Sequence, residues 1–290
     1  MVTDAEGTQH ADALRVLLYL ACPDTPATAI TATAAAIAQR TEETPGEPVP
    51  EAEALRQPVL WHTVGPQDLK RAGLSGVDLT RAYLRNADLR HADLSSATLV
   101  RALLDDAILT SANLADANLS HAHFANAILD KAHLTRARLI STQLNGADLS
   151  GSDLSGATAT FANLSGATVI LANLTGIDLT NANLTRTDLS GVDLTGADLS
   201  GASVVMANLT GADLTGADLT RTDLTRADLS GAQIRDALGM RLPPGANWDR
   251  ETRWPAELES VAIQQSDELS PGTYRVRGGS TPDRSSLVRG

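Results

Sequence analysis

Aromatic residues are scarce in this sequence. They make up 3% of the 290 residues, although 42% of the chain is hydrophobic. A conventional core filled with large rings is excluded by this shortage. The core must instead be built from small aliphatic side chains that recur many times.

Cysteine and membrane signals are also missing. Cys22 is the single cysteine, which excludes an intramolecular disulfide and favours a reducing compartment. The first twelve residues contain three acids and no Lys or Arg, the wrong charge for a secretory signal. The apolar run from Leu14 is interrupted by Arg15 and ends at Pro23, too early to span a bilayer. We therefore expect a cytoplasmic protein without membrane contact.

Basic residues are fewer than acidic residues. The chain has 23 Lys and Arg against 35 Asp and Glu, a formal net charge of -12. Non-specific binding to nucleic acid needs a basic face, so we expect no direct nucleic-acid binding. A DNA-binding helix-turn-helix in residues 1–60 is disfavoured for the same reason, because this segment contains nine acids and only three arginines. The expected partner is another protein with a basic surface.

A period of five runs through the middle of the chain. Every fifth residue from Leu69 to Ile234 is Leu at almost all of 34 positions, without an insertion. Ala usually stands two residues before each Leu, Asp or Asn between them, and Ser or Thr and then Gly or Arg afterwards. The exceptions in the Leu column are Phe124, Ala159, Val169, Val204 and Ile234. This period fits neither the strand repeat of two nor the helical 3.6, so it predicts short extended segments with a turn every five residues.

The repeated unit, such as Ala197-Asp198-Leu199-Ser200-Gly201, resembles that of the pentapeptide-repeat family over residues 67–236. The resemblance implies an all-β solenoid, a right-handed quadrilateral parallel β-helix with four pentapeptides per coil. Residues 20 apart should then stack, and about 8.5 coils would span roughly 40 Å.

The flanks do not share the repeat. We expect residues 1–60 to form an acidic N-terminal extension with helices at Asp12–Ala21 and Ala27–Arg40 and a linker, followed by the solenoid at 61–236. Residues 237–290 should form a C-terminal cap and a partly disordered tail, with a short strand at 274–277. Since the open end of a stacked Leu core needs an apolar lid, Trp248 and Trp254 are predicted cap residues.

No catalytic motif appears in the sequence. There is no phosphate loop, dinucleotide fingerprint, nucleophile elbow or zinc motif. His121 and His123 flank the inward Ala122, but the stacked neighbours on either side supply no third ligand. We therefore predict no enzyme activity, no cofactor and no metal site.

Acidic charge is concentrated in one half of the repeats. Residues 67–144 contain eight acids and nine bases, whereas residues 145–220 contain eight acids and only Arg186 as a base. Asp before Leu has a structural role, because its side chain can bond to backbone N–H groups at the turn. Asn163 and Asn173 would serve equally well, so the preference for Asp predicts an acidic partner surface. Its members are Asp148, Asp153, Asp178, Asp188, Asp193, Asp198, Asp213 and Asp218.

A second candidate surface is apolar. Tyr83 and Leu103 occupy one outward column, and Ile108 and Ile128 occupy the next. An exposed apolar strip usually means that something covers it. We predict a docking face here, for the chain's own residues 12–60 or for another protein.

Two functions remain open at this point. One is a non-catalytic scaffold that binds another protein. The other follows from the resemblance, because family members include acidic DNA mimics that bind and protect DNA gyrase or topoisomerase IV. Neither reading fixes the oligomeric state.

Overall fold

A computed structural model describes residues 69–278 of the chain. Its backbone is a right-handed parallel β-helix in which residues 20 apart pair as parallel bridges. Asp178 pairs with Asp198, and Asp198 pairs with Asp218. Three further columns of bridges run along the other sides. The predicted period of 20 and the predicted fold are confirmed.

Each pentapeptide makes one side of the coil and one corner. The N–H of Asp198 bonds to the Ile177 carbonyl of the preceding coil at 2.9 Å, and the N–H of Leu199 bonds to the Asp218 carbonyl of the next coil, also at 2.9 Å. The fifth residue turns the corner with a positive φ, which is 69° at Gly201. Glycine adopts this conformation without a steric penalty, which explains why it recurs there.

The core consists of the inward Leu and Ala columns. Leu179 and Leu194 are fully buried, and so is Phe124 in the same kind of position. Burying one Leu side chain contributes about 1.5–3 kcal/mol, so a column of many gives the solenoid its cohesion. Thr142 and Thr187 replace Ala and are also buried, but each hydroxyl donates to a carbonyl 23 residues earlier, at 2.9 and 2.8 Å respectively. These buried polar groups are therefore satisfied.

The C-terminal end carries four elements: β1 (Asn247–Asp249), α1 (Ala256–Gln264), β2 (Ser266–Ser270) and β3 (Thr273–Val276). The three strands form an antiparallel sheet in the order β1-β3-β2. β1 also pairs with the solenoid, because Asn247 bridges Asp228. The hydrogen-bond ladder thus continues beyond residue 236. Within residues 69–278, α1 is the single helix. It has nine residues and is not long and apolar enough to cross a bilayer.

Trp248 and Trp254 follow the inward columns into this end. Asn247 and Arg253 bridge Asp228 and Gln233, which places each Trp one coil below an inward aliphatic residue. Both Trp side chains are 5% exposed, and their rings meet edge to face with centroids 5.8 Å apart. Trp248 also stacks on Tyr274 at 4.5 Å and donates from Nε1 to Ser266 Oγ at 2.8 Å. Large rings thus lie at the end of a core made otherwise of aliphatic columns and the ring of Phe124.

Several sequence predictions fall outside the described residues. They are the helices Asp12–Ala21 and Ala27–Arg40, the linker that follows them, and the tail beyond residue 278. The predicted covering of the apolar face by residues 12–60 belongs with them.

Candidate protein-binding surfaces

The outward residues before each inward Leu form four columns, and each column defines one face of the solenoid. Face A runs through Asp93, Asn113, His133, Asp153, Asn173, Asp193 and Asp213, and face B through Asp78, Thr98, Asn118, Arg138, Thr158, Asp178, Asp198 and Asp218. Face C runs through Tyr83, Leu103, His123, Gln143, Asn163, Asn183, Ser203 and Asp223, and face D through Asp88, Ile108, Ile128, Asp148, Thr168, Asp188, Asn208 and Asp228.

The eight predicted carboxylates lie on three adjacent faces. Asp153, Asp193 and Asp213 are on face A, the column of Asp178, Asp198 and Asp218 is on face B, and Asp148 and Asp188 are on face D. None is on face C. They surround three sides of the second half of the solenoid, and we call these eight residues the acidic surface.

Every carboxylate of the acidic surface caps its own turn. In each case Oδ1 accepts the backbone N–H two residues later, at distances from 2.8 to 3.1 Å. Asn173 does the same for Thr175 at 3.1 Å. Local turn chemistry thus orients the acids outward in register, and Asn can replace Asp without losing the bond.

Hydrogen bonds favour the charged form of Asp193 and Asp218. The Thr195 hydroxyl and N–H lower the pKa of Asp193, and those of Thr220 lower the pKa of Asp218. Within residues 69–278, no member of the acidic surface takes part in an ion pair. The acidic surface therefore has no ion-paired cation in the described part of the chain.

Several carboxylates in the first half of the solenoid, in contrast, form ion pairs. Asp88 lies between Arg90 and Lys70, at 2.6 and 3.1 Å. The hydrogen bond from the Arg90 side chain holds the pKa of Asp88 well below its usual range. Ion pairs also join Arg85 to Asp105 and Arg136 to Asp116. Three carboxylates of this half, those of Asp88, Asp105 and Asp116, are thus ion-paired, unlike the acidic surface.

Face C carries polar groups with little charge. The amide nitrogen of Asn163 donates to Gln143 Oε1 at 3.1 Å, and that of Asn183 donates to Asn163 Oδ1 at 3.2 Å. Amide side chains can both donate and accept, so they form a ladder along the axis.

The four predicted apolar docking residues lie side by side. Tyr83 bridges Leu103 on face C, and Ile108 bridges Ile128 on the adjacent face D. Ile128 is 39% exposed and the other three are half-buried. The docking face remains a prediction.

Sequence reasoning missed three exposed apolar side chains at corners. Phe161 is 61% exposed, Leu171 is 71% exposed and Met206 is 40% exposed, all with φ between 55° and 58°. A side chain at such a φ is strained, and most other non-glycine corners are polar or charged. The available signal was a large apolar residue in the fifth position of the pentapeptide.

The described residues offer no grouping suited to metal chemistry. No cluster of three or more His, Cys, Asp or Glu side chains able to hold a metal occurs between residues 69 and 278. His121 and His123 are both exposed, and His123 stacks between Leu103 and Gln143. A groove lined by Lys70, Arg71, Arg90 and His91 contains bases without an acid or nucleophile in its lining.

Comparison with known proteins agrees with this architecture. The family model for pentapeptide repeats matches in eight copies, over residues 72–111, 107–142, 132–169, 172–204 and 207–238. No curated protein matches the sequence.

Among solved structures, a trypsin-treated form of QnrB1, a plasmid-mediated fluoroquinolone resistance protein, is 18% identical with a TM-score of 0.48, covering 61% of this chain and 90% of its own. HetL, a pentapeptide repeat protein involved in heterocyst differentiation regulation in the cyanobacterium Nostoc sp. strain PCC 7120, is 32% identical with a TM-score of 0.29, covering 62% and 88%. A pentapeptide repeat protein from the thylakoid lumen of Arabidopsis thaliana is 38% identical with a TM-score of 0.27, covering 30% and 66%.

Proposed function

The chain belongs to the pentapeptide-repeat family, and we propose that it is a non-catalytic scaffold that binds another protein through its acidic surface. The observation that supports this proposal is the state of the eight carboxylates. Each is held outward by its turn, and none is ion-paired within residues 69–278. Such a surface attracts a partner with a complementary basic patch, and long-range attraction speeds their encounter.

Uncompensated charge supports a binding role because the fold does not need it. Asn173 caps its turn as the aspartates do, so amides could have kept the solenoid intact. Like charges repel at the spacing of about 4.8 Å between neighbouring coils. Binding of a basic partner would relieve this repulsion, and the relief would add to the free energy of binding.

The test changes the charge of face A and keeps its turns. Asp153, Asp193 and Asp213 are replaced together by Asn, and proteins captured from cell extract are compared with those captured by the native chain at low and high salt. We expect the variant to lose the salt-sensitive partners, since screening and charge removal act on the same attraction.

A matched control removes three charges from the first half. It carries D78N, D93N and D106N, which change net charge by the same amount outside the acidic surface. This control should retain the partners. Equal capture by the face A variant and the native chain would refute the proposed surface.

The charge spacing favours a second candidate, an acidic DNA mimic that binds DNA gyrase or topoisomerase IV. Residues 145–220 have a net charge of -7. At four pentapeptides per coil they extend about 18 Å, which gives one charge per roughly 2.6 Å against one per 1.7 Å along duplex DNA. The DNA groove of such an enzyme is basic, so it is a suitable partner for this density.

A supercoiling assay with purified gyrase tests this candidate directly. The native chain should alter supercoiling, with or without a quinolone, at micromolar concentration, and the face A variant should act more weakly and with less dependence on salt. If the native chain leaves supercoiling unchanged, the DNA-mimic candidate is refuted and the scaffold proposal stands on the capture experiment alone.

A further inference from the structure

A ladder of basic side chains runs down one corner of the first half of the solenoid. Arg81, Arg101 and His121 stack one coil apart at the corner between faces B and C, with φ of 61°, 58° and 60°, and all three are exposed. Glycine occupies such a corner without strain, as Gly201 does further along. The ion pairs of residues 69–278 include neither arginine. We call these three residues the basic corner.

Four outward side chains follow one another around one coil in the order base, apolar, acid, apolar. Arg101 of the basic corner is followed by Leu103 on face C, Asp106 at the next corner and Ile108 on face D. Leu103 and Ile108 belong to the docking face and are half-buried. Asp106 takes part in no ion pair within residues 69–278. A ligand that covers this strip must offer the opposite charges in the same order.

The other carboxylates beside the basic corner leave it basic. Asp105 is already paired with Arg85 at 2.9 Å. Asp78, on face B, accepts the Thr80 N–H at 2.9 Å and is in no ion pair of the described residues. Its charge is matched on the same face by Arg138, which is equally absent from those ion pairs. The two arginines of the basic corner are therefore not offset by these neighbours.

The chain itself contains the complementary order shortly before the solenoid begins. Residues 42–53 hold five glutamates and no Lys or Arg. Glu53 is followed by Leu55, Arg56 and Leu60, so the segment offers an acid, an apolar side chain, a base and a second apolar side chain. This is the order that the strip on the coil requires.

The segment and the strip also have the same length. Seven residues separate Glu53 from Leu60, and seven separate Arg101 from Ile108. An extended segment of seven residues spans at most about 25 Å, which covers the coil path even without its corner. Leu69 begins the described chain on face D, about two coils or roughly 10 Å from Ile108. The nine residues between Leu60 and Leu69 reach up to about 30 Å, so the connection can be made.

We propose that residues 42–61 bind across faces D and C of their own solenoid, with the glutamates at the basic corner. Glu53 then lies beside Arg101, and Arg56 lies beside Asp106. The remaining glutamates of the segment continue onto the rest of the basic corner. Stacked like charges repel one another, and the segment relieves that repulsion between the two arginines.

The same placement covers the docking face. Leu55 meets Leu103, and Leu60 and Trp61 meet the two isoleucines of face D. An apolar strip that is rimmed by charge thereby gains an occupant with matching apolar side chains. Because the segment belongs to the same chain, its effective concentration is on the order of millimolar, and weak contacts suffice to hold it.

The other group of bases in the first half matches the segment less well. Lys70 and Arg90, near the corner between faces D and A, both contact Asp88, at 3.1 and 2.6 Å. Face A, beyond that corner, presents Asp93 and Asn113 where face C presents apolar side chains. An acidic segment with apolar residues therefore finds its complement at the basic corner.

Disulfide trapping in the full chain tests the proposal. Cys22 is replaced by Ser, and cysteines are placed at Ala52 and at His121, one coil from Arg101. The matched control places the second cysteine at His91, an exposed histidine at the corner between faces D and A. Under mild oxidation at low salt, we expect A52C/H121C to form its intramolecular disulfide at least about fivefold faster than A52C/H91C. High salt should remove most of this difference, because it screens the attraction.

A charge variant shows whether the bases cause the faster reaction. Adding R81Q and R101Q to A52C/H121C removes two charges from the basic corner and keeps long side chains there. The disulfide should then form about as slowly as in the His91 control. R186Q with R221Q makes the same change in net charge at corners of the second half and should leave the fast reaction unchanged. Thermal unfolding of each variant checks that the solenoid is retained.

Trp61 gives an independent readout of the apolar contact. The two tryptophans of the C-terminal cap are 5% exposed, so acrylamide quenches chiefly the emission that is lost in a W61F variant. We expect weak quenching of Trp61 in the native chain. I108S with I128S should raise its quenching constant at least about twofold, because the ring loses its apolar support. L171S with M206S removes two exposed apolar side chains elsewhere and should have no effect.

Several results would overturn the proposal. They are equal disulfide rates at the two histidine positions, a faster reaction at His91, or a rate that R81Q/R101Q leaves unchanged. Disulfides that form only between chains would assign the segment to a second copy. Free quenching of Trp61 in the native chain would leave the docking face open to another protein. The proposed function is tested separately, since the acidic surface lies in the other half of the solenoid. The face A variant should form the disulfide normally even if it loses its partners.

Discussion

Replacing Asp198 by Asn separates two effects of one carboxylate. Asp198 Oδ1 accepts the Ser200 N–H at 2.8 Å, and the side chain is stacked between Asp178 and Asp218. At about 5 Å in water, each neighbouring charge repels by roughly 0.8 kcal/mol, so two neighbours contribute about 1.5 kcal/mol. Asn keeps the hydrogen bond but loses its charge assistance, which is worth about 1 kcal/mol.

The two terms nearly cancel at low salt and separate at high salt. At low ionic strength we expect the variant to match the native chain or exceed its stability by about 0.5 kcal/mol. At 1 M salt the screening length is about 3 Å, so most of the repulsion is gone and the variant should be less stable by about 1 kcal/mol. The sign of the stability difference should therefore change with salt.

Thermal unfolding followed by circular dichroism measures this change, at protein concentrations at which the chain is monomeric. Midpoints are compared, because repeat proteins need not unfold in one step. Asp153→Asn is the control, since Asp153 stacks between His133 and Asn173 and has no carboxylate on either side. It should be destabilising at both salt concentrations. If Asp198→Asn and Asp153→Asn respond to salt alike, the repulsion along the column is negligible and the reasoning fails.

Two further predictions concern the corners and the turn caps. Gly239→Ala should destabilise the chain by more than Gly196→Ala in urea unfolding, because an added Cβ at Gly239 would lie 2.8 Å from the Thr220 Cα, whereas nothing lies within 4 Å at Gly196; equal effects would contradict the packing at Gly239. The pKa values of Asp193 and Asp218 are lowered by hydrogen bonds, so their contribution to stability is complete above the unfolded pKa of about 4 and is lost as pH falls further. Replacing both by Asn should flatten the acid limb of stability against pH, and an unchanged limb would argue against these bonds.

The solenoid could be predicted from the sequence because its inward side chains recur at a regular interval. Leu at every fifth position can be buried together only if the chain turns at that interval, and Phe124 fits the same column without a break. The Asp and Asn preference before Leu was likewise predictable from turn chemistry, and the bonds from residues such as Ser200 confirm it.

Other features could not be predicted from the period. The ladder continues to Asn247 and Arg253, but Pro243, Pro244 and Gly245 interrupt the pentapeptide frame, so the sequence period ends before the backbone pairing does. The exposure of Phe161 depends on which corner it occupies and what stacks beneath it. The register of 20 fixes both, but the outward columns before Leu do not contain the corner residues, so the exposed ring leaves no mark in them.

The twenty-residue register also limits how this solenoid can change length. Gain or loss of four pentapeptides keeps every column in line, because residues 20 apart stack. Gain or loss of one pentapeptide would preserve the Leu and Ala core equally well but rotate everything downstream by a quarter turn. Asp178, Asp198 and Asp218 would then leave the face of Arg138 and join a neighbouring one. Gain of one pentapeptide would therefore be tolerated by selection for folding alone, but it would be removed by selection for the arrangement of surface charges.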